Sequence, residues 1–280
     1  MLCMPPSTSA AFAKLVSTSR ATFVARGWLH LPGFISEASS AAMVAEASGL
    51  LHDPATSFRS SEGHTAYQMP HDPAFPDAHP RNRLQSSSKR ISDYARLGPD
   101  SELKRLYNDD TFMSFVAAVV EPLLEPQTAK ERAEGKPLLH RSACPYNSAY
   151  YNAYEDGDGL GWHFDQTAFG VNLVLQPPTS GGHFDFHPGT RADGDVEDMA
   201  YGTVARIMGG DLEGVDCLDS AGAGSLVIFA GRRCLHRVSP VTGPDPRINA
   251  IVHFEAQPGQ RLNAYSLQRF FGRESDEVSA

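Results

Sequence analysis

The sequence predicts a mainly β protein with flanking helices, a sandwich or closed barrel of short strands preceded by a helical N-terminal third. Three observations carry this expectation. From Tyr146 onward apolar residues alternate, as in Phe169, Val171, Leu173 and Leu175, which is the pattern of a strand with one buried face. Glycine pairs such as Gly181-Gly182 punctuate these runs, and short strands joined by glycine-rich turns close into sandwiches or barrels. Before Tyr146 the apolar spacing is helical instead, and a 280-residue chain that is 41% hydrophobic can bury a full core. One domain over residues 1–280 is expected, with 1–145 as helical buttress and lid and 146–273 as the β core.

Taken in order, Phe12, Leu15, Val16, Phe23 and Val24 recur at helical spacing and stop at Gly27. Trp28 to Leu31 reads as a short strand. Ser36 is a natural N-cap for a helix with the stripe Met43, Val44, Ala47, Leu50 and Leu51. Residues 52–90 are rich in Pro, Ser, His and Arg without a sustained period; a structureless stretch of that length predicts a lid over a site. Ser101 opens a short helix through Tyr107. Asp110 is expected to cap a longer one carrying Phe112, Phe115, Val116, Val119 and Val120, which Pro122 ends. A charged, exposed linker is expected over 125–141. Strands then follow around 169–175, at Phe184 and Phe186, and over 225–229, 234–239 and 247–254, with no internal repeat.

The formal net charge is −9, and although Arg81, Arg83, Lys89 and Arg90 form a modest basic cluster, there is no long basic stripe. Nucleic-acid affinity rests on lysines and arginines neutralising phosphates, so this balance disfavours DNA or RNA and fits a small, cationic substrate better. Four scattered cysteines without a C-x-x-C pair fit reduced thiols in the cytoplasm, with Cys234 as a small buried hydrophobe. Neither a secretory leader nor a run of about 18 apolar residues is present, so no membrane role is expected. Nothing in the sequence reports oligomeric state.

The chemistry lies in His163-Phe164-Asp165, followed by His236 and Arg247. Residues two apart on a strand point to one face, so His163 and Asp165 can grip one metal ion while His236 completes the set. Two histidines and one carboxylate on a face leave positions open, the geometry of non-haem Fe(II) sites; zinc is the competing metal. Asn152 and Tyr154 share a strand face just upstream. Downstream, Ile248, Ala250, Val252 and Phe254 alternate with Arg247, Asn249 and His253, so one face packs and the other lines a site. A guanidinium held inside a barrel needs an anion, and a carboxylate suits its planar fork. A second triplet, His183, Asp185 and His187, offers three possible ligands on one strand face, with a structural or pocket role expected over metal binding.

The pattern N-x-Y-x-x-G-x5-H-x-D, with R-x-N after the distal histidine, resembles the iron(II)/2-oxoglutarate-dependent dioxygenases over residues 146–273. Its cosubstrate contacts look like those of the alkylation-repair branch. The wider text, Gly159-Leu160-Gly161-Trp162-His163-Phe164-Asp165, Gly181 to Pro188, Leu235 to Val241 and Phe271-Gly272-Arg273, resembles the free amino acid halogenases and hydroxylases. This resemblance implies a double-stranded β-helix, a jelly-roll with Fe(II) in its mouth held by His163, Asp165 and His236. It implies 2-oxoglutarate bound by Arg247, Asn152, Tyr154 and Asn249, with dioxygen as co-oxidant. Halogenases of that group carry a small residue where this chain has Asp165, so hydroxylation is implied, of a free amino acid or similar amine-containing metabolite with a basic side chain. Arg83 and His253 are the candidate substrate contacts. Two other readings stay open: a dioxygenase acting on a nucleic acid or protein, and a non-catalytic sensor binding metal or 2-oxoglutarate. The former lacks the second arginine of the repair branch, which would lie near His253.

Overall fold

The computed structural model describes residues 2–124, 133–191, 199–219 and 221–274. Helix α1 (Ala10–Arg26) begins where the Ser9 hydroxyl accepts from the Phe12 amide at 3.1 Å. It stops at Gly27, whose φ of 74° is the left-handed cap that glycine adopts without strain. Strand β1 (Trp28–Leu31) follows, then α2 (Glu37–Leu51), capped as expected by Ser36. Helix α3 (Glu102–Tyr107) is capped by Ser101, and α4 (Asp110–Val120) carries the expected buried stripe. The α4 cap is Asp109, one residue before the expected Asp110: its carboxylate accepts from the Phe112 amide at 3.0 Å, leaving Asp110 as the first helical residue. The first eight residues of the expected 125–141 linker lie outside the described residues.

The 52–90 stretch is not structureless. It holds β2 (Phe58–Ser60), β3 (His64–Thr65), β4 (Leu84–Gln85) and β5 (Ser87–Ser92). Strand β5 reads Ser-Ser-Lys-Arg-Ile-Ser, which has no apolar period to reveal it. Pairing on both edges holds it in place, since tertiary context overrides strand propensity.

The remaining elements are β6 (His140–Arg141), β7 (Ala149–Tyr154), β8 (Gly159–His163), β9 (Gly170–Gln176), β10 (Ser180–Gly181) and β11 (Phe184–His187). Then come α5 (Tyr201–Met208), β12 (Asp216–Leu218), β13 (Ser225–Phe229), β14 (Leu235–Val238), β15 (Val241–Thr242), β16 (Arg247–Val252) and β17 (Phe254–Glu255). A last helical turn, Ala264–Ser266, runs into a π turn at Leu267–Phe271. One antiparallel sheet runs β1-β13-β9-β16-β7-β5-β8-β14-β11-β12, with β2 paired to β5. Strand β5 is the hinge of this curled sheet, because it pairs with β7 through Arg90 to Ser92 and with β8 through Ser87 and Ser88.

Alternation then sorts the two faces of the first half-sheet. Ala149, Tyr151 and Ala153 of β7, Ile248, Ala250 and Val252 of β16, and Val171, Leu173 and Leu175 of β9 point outward. They join one core with Phe23, Met43, Phe112 and Phe115 of the helices, so the N-terminal helices do buttress the larger sheet. The opposite parity, Asn152, Tyr154, Asn172, Arg247 and Asn249, faces the cavity. No described helix is long and apolar enough to cross a membrane.

Candidate active site

His163 ends β8 and His236 lies on the adjacent β14, where the two are direct cross-strand partners. Their rings are 4.2 Å apart between centres. Each ring is tethered by its Nδ1, to the Gly161 carbonyl in His163 and to the Cys234 carbonyl in His236, both at 2.8 Å. Nδ1 must therefore carry the proton, which leaves both Nε2 lone pairs directed inward. Asp165, two residues past His163, turns its Oδ1 to 3.7 Å from His163 Nε2 and 3.5 Å from His236 Nε2. One ligand atom from each of the three lies within 4.8 Å of the others.

Electrostatics keeps His163 and Asp165 in their ligating forms. Burial drives His163 well below the ordinary histidine range, with His236 adding to the effect, so the imidazole is neutral. Burial alone would raise the Asp165 carboxyl, but His236 and His163 outweigh it and hold the group ionised, below the usual carboxylate range. Further residues fix the geometry. The Asp165 amide donates to the Gly231 carbonyl at 3.1 Å, and a Cβ on Gly231 would lie 2.3 Å from Asp165 Oδ2. Behind His163, the Ser87 hydroxyl accepts from the Gly161 amide at 2.9 Å and donates to His64 Nε2 at 2.7 Å. His64 donates from Nδ1 to the Thr65 carbonyl at 3.0 Å, and burial holds its pKa at about 4.

Across the cavity, Arg247 is 4% exposed. Its Nε donates to the Gly182 carbonyl at 3.0 Å, and its Nη1 is buried without a hydrogen-bond partner. No carboxylate pairs with it among the described residues. Burial lowers its pKa and Tyr154, its cross-strand partner, partly offsets this; the guanidinium carbon sits 5.9 Å from the Tyr154 ring centre. Gly182, at φ 61°, leaves room for the arginine stem: a Cβ there would lie 3.2 Å from Arg247 Cδ. Asn152 and Asn249 are opposite one another on β7 and β16, and the Oδ1 atom of each is buried and unpartnered. Asn249 donates from Nδ2 to Asn172 Oδ1 at 2.7 Å. A half-turn of a side-chain amide exchanges oxygen for NH2, so this pair can offer a carboxylate its donors. The residues present thus fit a metal and a dicarboxylate: two imidazoles and a carboxylate as one donor set, and an orphaned guanidinium facing the same space.

All seven of the expected metal and cosubstrate residues line one cleft of ≈ 860 Å³, counting the open space at its mouth. His253 lines it too, stacked on Tyr150 at 5.8 Å, with its Nδ1 buried and unpartnered. Arg83 is exposed and does not line the cleft. Lys89, six residues on, does. It escaped the sequence reading because nothing distinguishes it from its basic neighbours, although alternation along β5 turns Lys89 and Ile91 inward and Arg90 toward Glu155. The closing Phe270 and Phe271 also line the cleft. Gly272 (φ 62°) packs beneath Phe58, and Arg273 pairs with Asp93 at 3.2 Å, which pins this segment.

The second triplet does not assemble as spaced. Asp185 accepts from Arg237 Nε at 2.8 Å, and His187 Nδ1 is 3.1 Å from Thr190 Oγ1. Cys217, opposite Asp185 on β12, takes the third place in a His183, Asp185 and Cys217 group whose carboxylate Arg237 already neutralises. Asp158 is buried and paired with Arg59, Nη2 to Oδ1 at 2.5 Å. Cys234 is buried among Phe184, Phe186 and Phe229, as expected of a small hydrophobe.

No protein-family model matches the chain, and no curated protein matches it. Solved structures do. The epimerase SnoN in complex with Fe3+, alpha ketoglutarate and nogalamycin RO superposes with a TM-score of 0.56 at 16% identity, covering 87% of this chain and 84% of that one. The carbocyclase SnoK from nogalamycin biosynthesis gives 0.53 at 14% identity, with 87% of each chain covered. An oxidoreductase of the 2OG-Fe(II) oxygenase family from Burkholderia pseudomallei gives 0.50 at 13%, covering 87% and 92%. At these identities the likeness establishes the fold: a curled antiparallel sheet of the jelly-roll kind that those structures share.

Proposed function

We propose that the protein is an Fe(II)/2-oxoglutarate-dependent hydroxylase of a free amino acid or a similar small metabolite. The observation that carries this is the meeting, in one cleft, of a His163, Asp165, His236 ligand set with a buried, carboxylate-free Arg247. The zinc alternative explains the ligands and leaves the guanidinium unexplained. His163 Nε2, His236 Nε2 and an Asp165 oxygen would hold the iron, and Arg247 would pair with the far carboxylate of 2-oxoglutarate, with Tyr154, Asn152 and Asn249 as hydrogen-bonding neighbours. Bound iron with 2-oxoglutarate and dioxygen supplies an oxidant for C–H hydroxylation, leaving succinate and carbon dioxide. The chain's own part is positioning and exclusion of water. Phe184 and Phe229 pack their rings 5.6 and 4.8 Å from His236 and dry one side of the ligand set, while Phe270 and Phe271 cover another. Asp165 favours hydroxylation over halogenation because its carboxylate fills the position that a halide would need. The complexes of SnoN with Fe3+ and alpha ketoglutarate, and of HygX from Streptomyces hygroscopicus with nickel and 2-oxoglutarate, support the same use of the fold.

Purified protein given Fe(II), ascorbate and 2-oxoglutarate is expected to form succinate when a panel of free amino acids is supplied, with one amino acid gaining the mass of one oxygen. No succinate above the metal-free control across the panel would refute the proposal.

A further inference from the structure

From the charges lining the cleft we infer that the substrate bears a carboxylate and that Lys89 is the residue that binds it. This deepens the Fe(II)/2-oxoglutarate reading and rests on it. Among the described residues, the cleft is lined by one carboxylate, Asp165, and two basic side chains, Arg247 and Lys89. The metal accounts for Asp165 and the cosubstrate for Arg247. Lys89 is left over.

Lys89 is 5% exposed, and its ammonium makes no hydrogen bond or ion pair among the described residues. It lies over the ring of Phe270, with Nζ 5.2 Å from the ring centre. An ammonium taken out of water without an anion is costly, and burial pulls this one down to about 8 although Asp165 resists the fall. No described residue pairs with this ammonium, so the charge calls for an anionic ligand.

Two further groups in the cleft lack partners. Asn147 receives the Ser142 hydroxyl on Oδ1 at 3.1 Å, which turns its Nδ2 donor into buried space with nothing to bond. His253 Nδ1 is likewise buried and unpartnered. One cation with neutral groups around it balances a monoanion, which favours a carboxylate over a phosphate dianion. Phe270, Phe271 and Tyr150 give the rest of such a molecule an apolar wall, with Phe271 and Tyr150 in edge contact at 5.1 Å. The protein's net charge of −9 suggests a cationic substrate, but among the described residues the cleft has no second carboxylate to receive a side-chain ammonium once Asp165 is committed to metal. Local charge, not net charge, is what a bound molecule meets.

The test uses the full-length protein with Fe(II) and 2-oxoglutarate, and an extract of small metabolites supplied either untreated or after methyl esterification of its carboxyl groups. Succinate formation above the extract-free rate is read for the wild type, Lys89→Met and Lys89→Arg, and 2-oxoglutarate binding is read separately by titration with Mn(II). The untreated extract is expected to stimulate the wild type and the esterified extract to fail. At limiting extract, Lys89→Met is expected to lose about 30-fold or more of the stimulation, as truncating one member of a buried charge pair does, and Lys89→Arg to recover part of it. Equal stimulation by the esterified extract, an undiminished response of Lys89→Met, or no stimulation by untreated extract while 2-oxoglutarate binds would each overturn the inference. So would a parallel fall in 2-oxoglutarate affinity in Lys89→Met, which would move the lysine to the cosubstrate. Absence of 2-oxoglutarate binding in the wild type is the distinct result that removes the underlying reading.

Discussion

Replacing Arg247 by methionine keeps the hydrocarbon stem beside Gly182 and removes the buried charge. In the ligand-free protein two effects oppose. The hydrogen bond from Nε to the Gly182 carbonyl is lost, worth about 0.5–1.5 kcal/mol, while a buried guanidinium with an unpartnered Nη1 no longer has to be desolvated. The unliganded melting temperature is therefore expected to move by only a few degrees. Ligand binding behaves differently. Removing one member of a buried charge pair costs about 2–5 kcal/mol, a rise in the 2-oxoglutarate Kd of roughly 30-fold to several thousand-fold. At a cosubstrate concentration near 100 times the wild-type Kd, binding stabilises the wild type by about 2.7 kcal/mol; a 100-fold weaker variant gains only about 0.4 kcal/mol. The difference, about 2.3 kcal/mol, corresponds to about 5–9 °C for a chain of this size class. Differential scanning fluorimetry with Mn(II), with and without 2-oxoglutarate, reads both quantities at once. An unliganded variant that melts far lower yet keeps the full cosubstrate shift would show that Arg247 is structural, and the cosubstrate assignment would fall.

Other expectations follow from the same geometry. Gly231→Ala places a methyl 2.3 Å from Asp165 Oδ2, so metal affinity should fall about 10–100-fold while circular dichroism stays native; unchanged metal titration would contradict the role given to Gly231. With Asp165 as the proposed ligand, Asp165→Ala should abolish succinate formation with a larger loss of metal affinity than Gly231→Ala, the reverse order counting against the triad. The metal-free protein should lose stability as pH falls. His64 is held neutral at about 4, so between its unfolded value near 6.5 and about 4 the unfolded chain binds the extra proton. His64 alone then costs about 2 kcal/mol between pH 7 and pH 5, and His253, also held at about 4, adds in the same direction. Urea unfolding at the two pH values checks this, and equal midpoints would refute it.

The triad and the Arg247 face were legible in the sequence because both depend on strand parity. His163 and Asp165 are two apart, and Arg247 alternates with Ile248, Ala250 and Val252, whose outward packing against the helices the structure shows. The N-terminal helices were legible from their caps and spacing, with the α4 cap displaced by one because Asp109 and Asp110 are chemically equivalent choices. Strand β5 was not legible, since most of its residues are polar and its position is dictated by pairing with β2, β7 and β8, all outside the local sequence. Lys89 was hidden with it. Arg83 looked equivalent in a basic cluster, but only a residue on β5 reaches the cleft. For the His183, Asp185, His187 triplet a structural or pocket role was expected over metal binding, and Arg237, distant in sequence, claims its middle carboxylate.

The most direct measurement is anaerobic titration of the metal-free protein with Fe(II) in the presence of 2-oxoglutarate, following the visible charge-transfer absorption that appears when the two share a site. One equivalent of iron per chain should produce the band, and Asp165→Ala or Arg247→Met should weaken or abolish it at the same concentrations. Tight binding of iron or zinc at His163, Asp165 and His236 with no band at saturating 2-oxoglutarate would contradict the account.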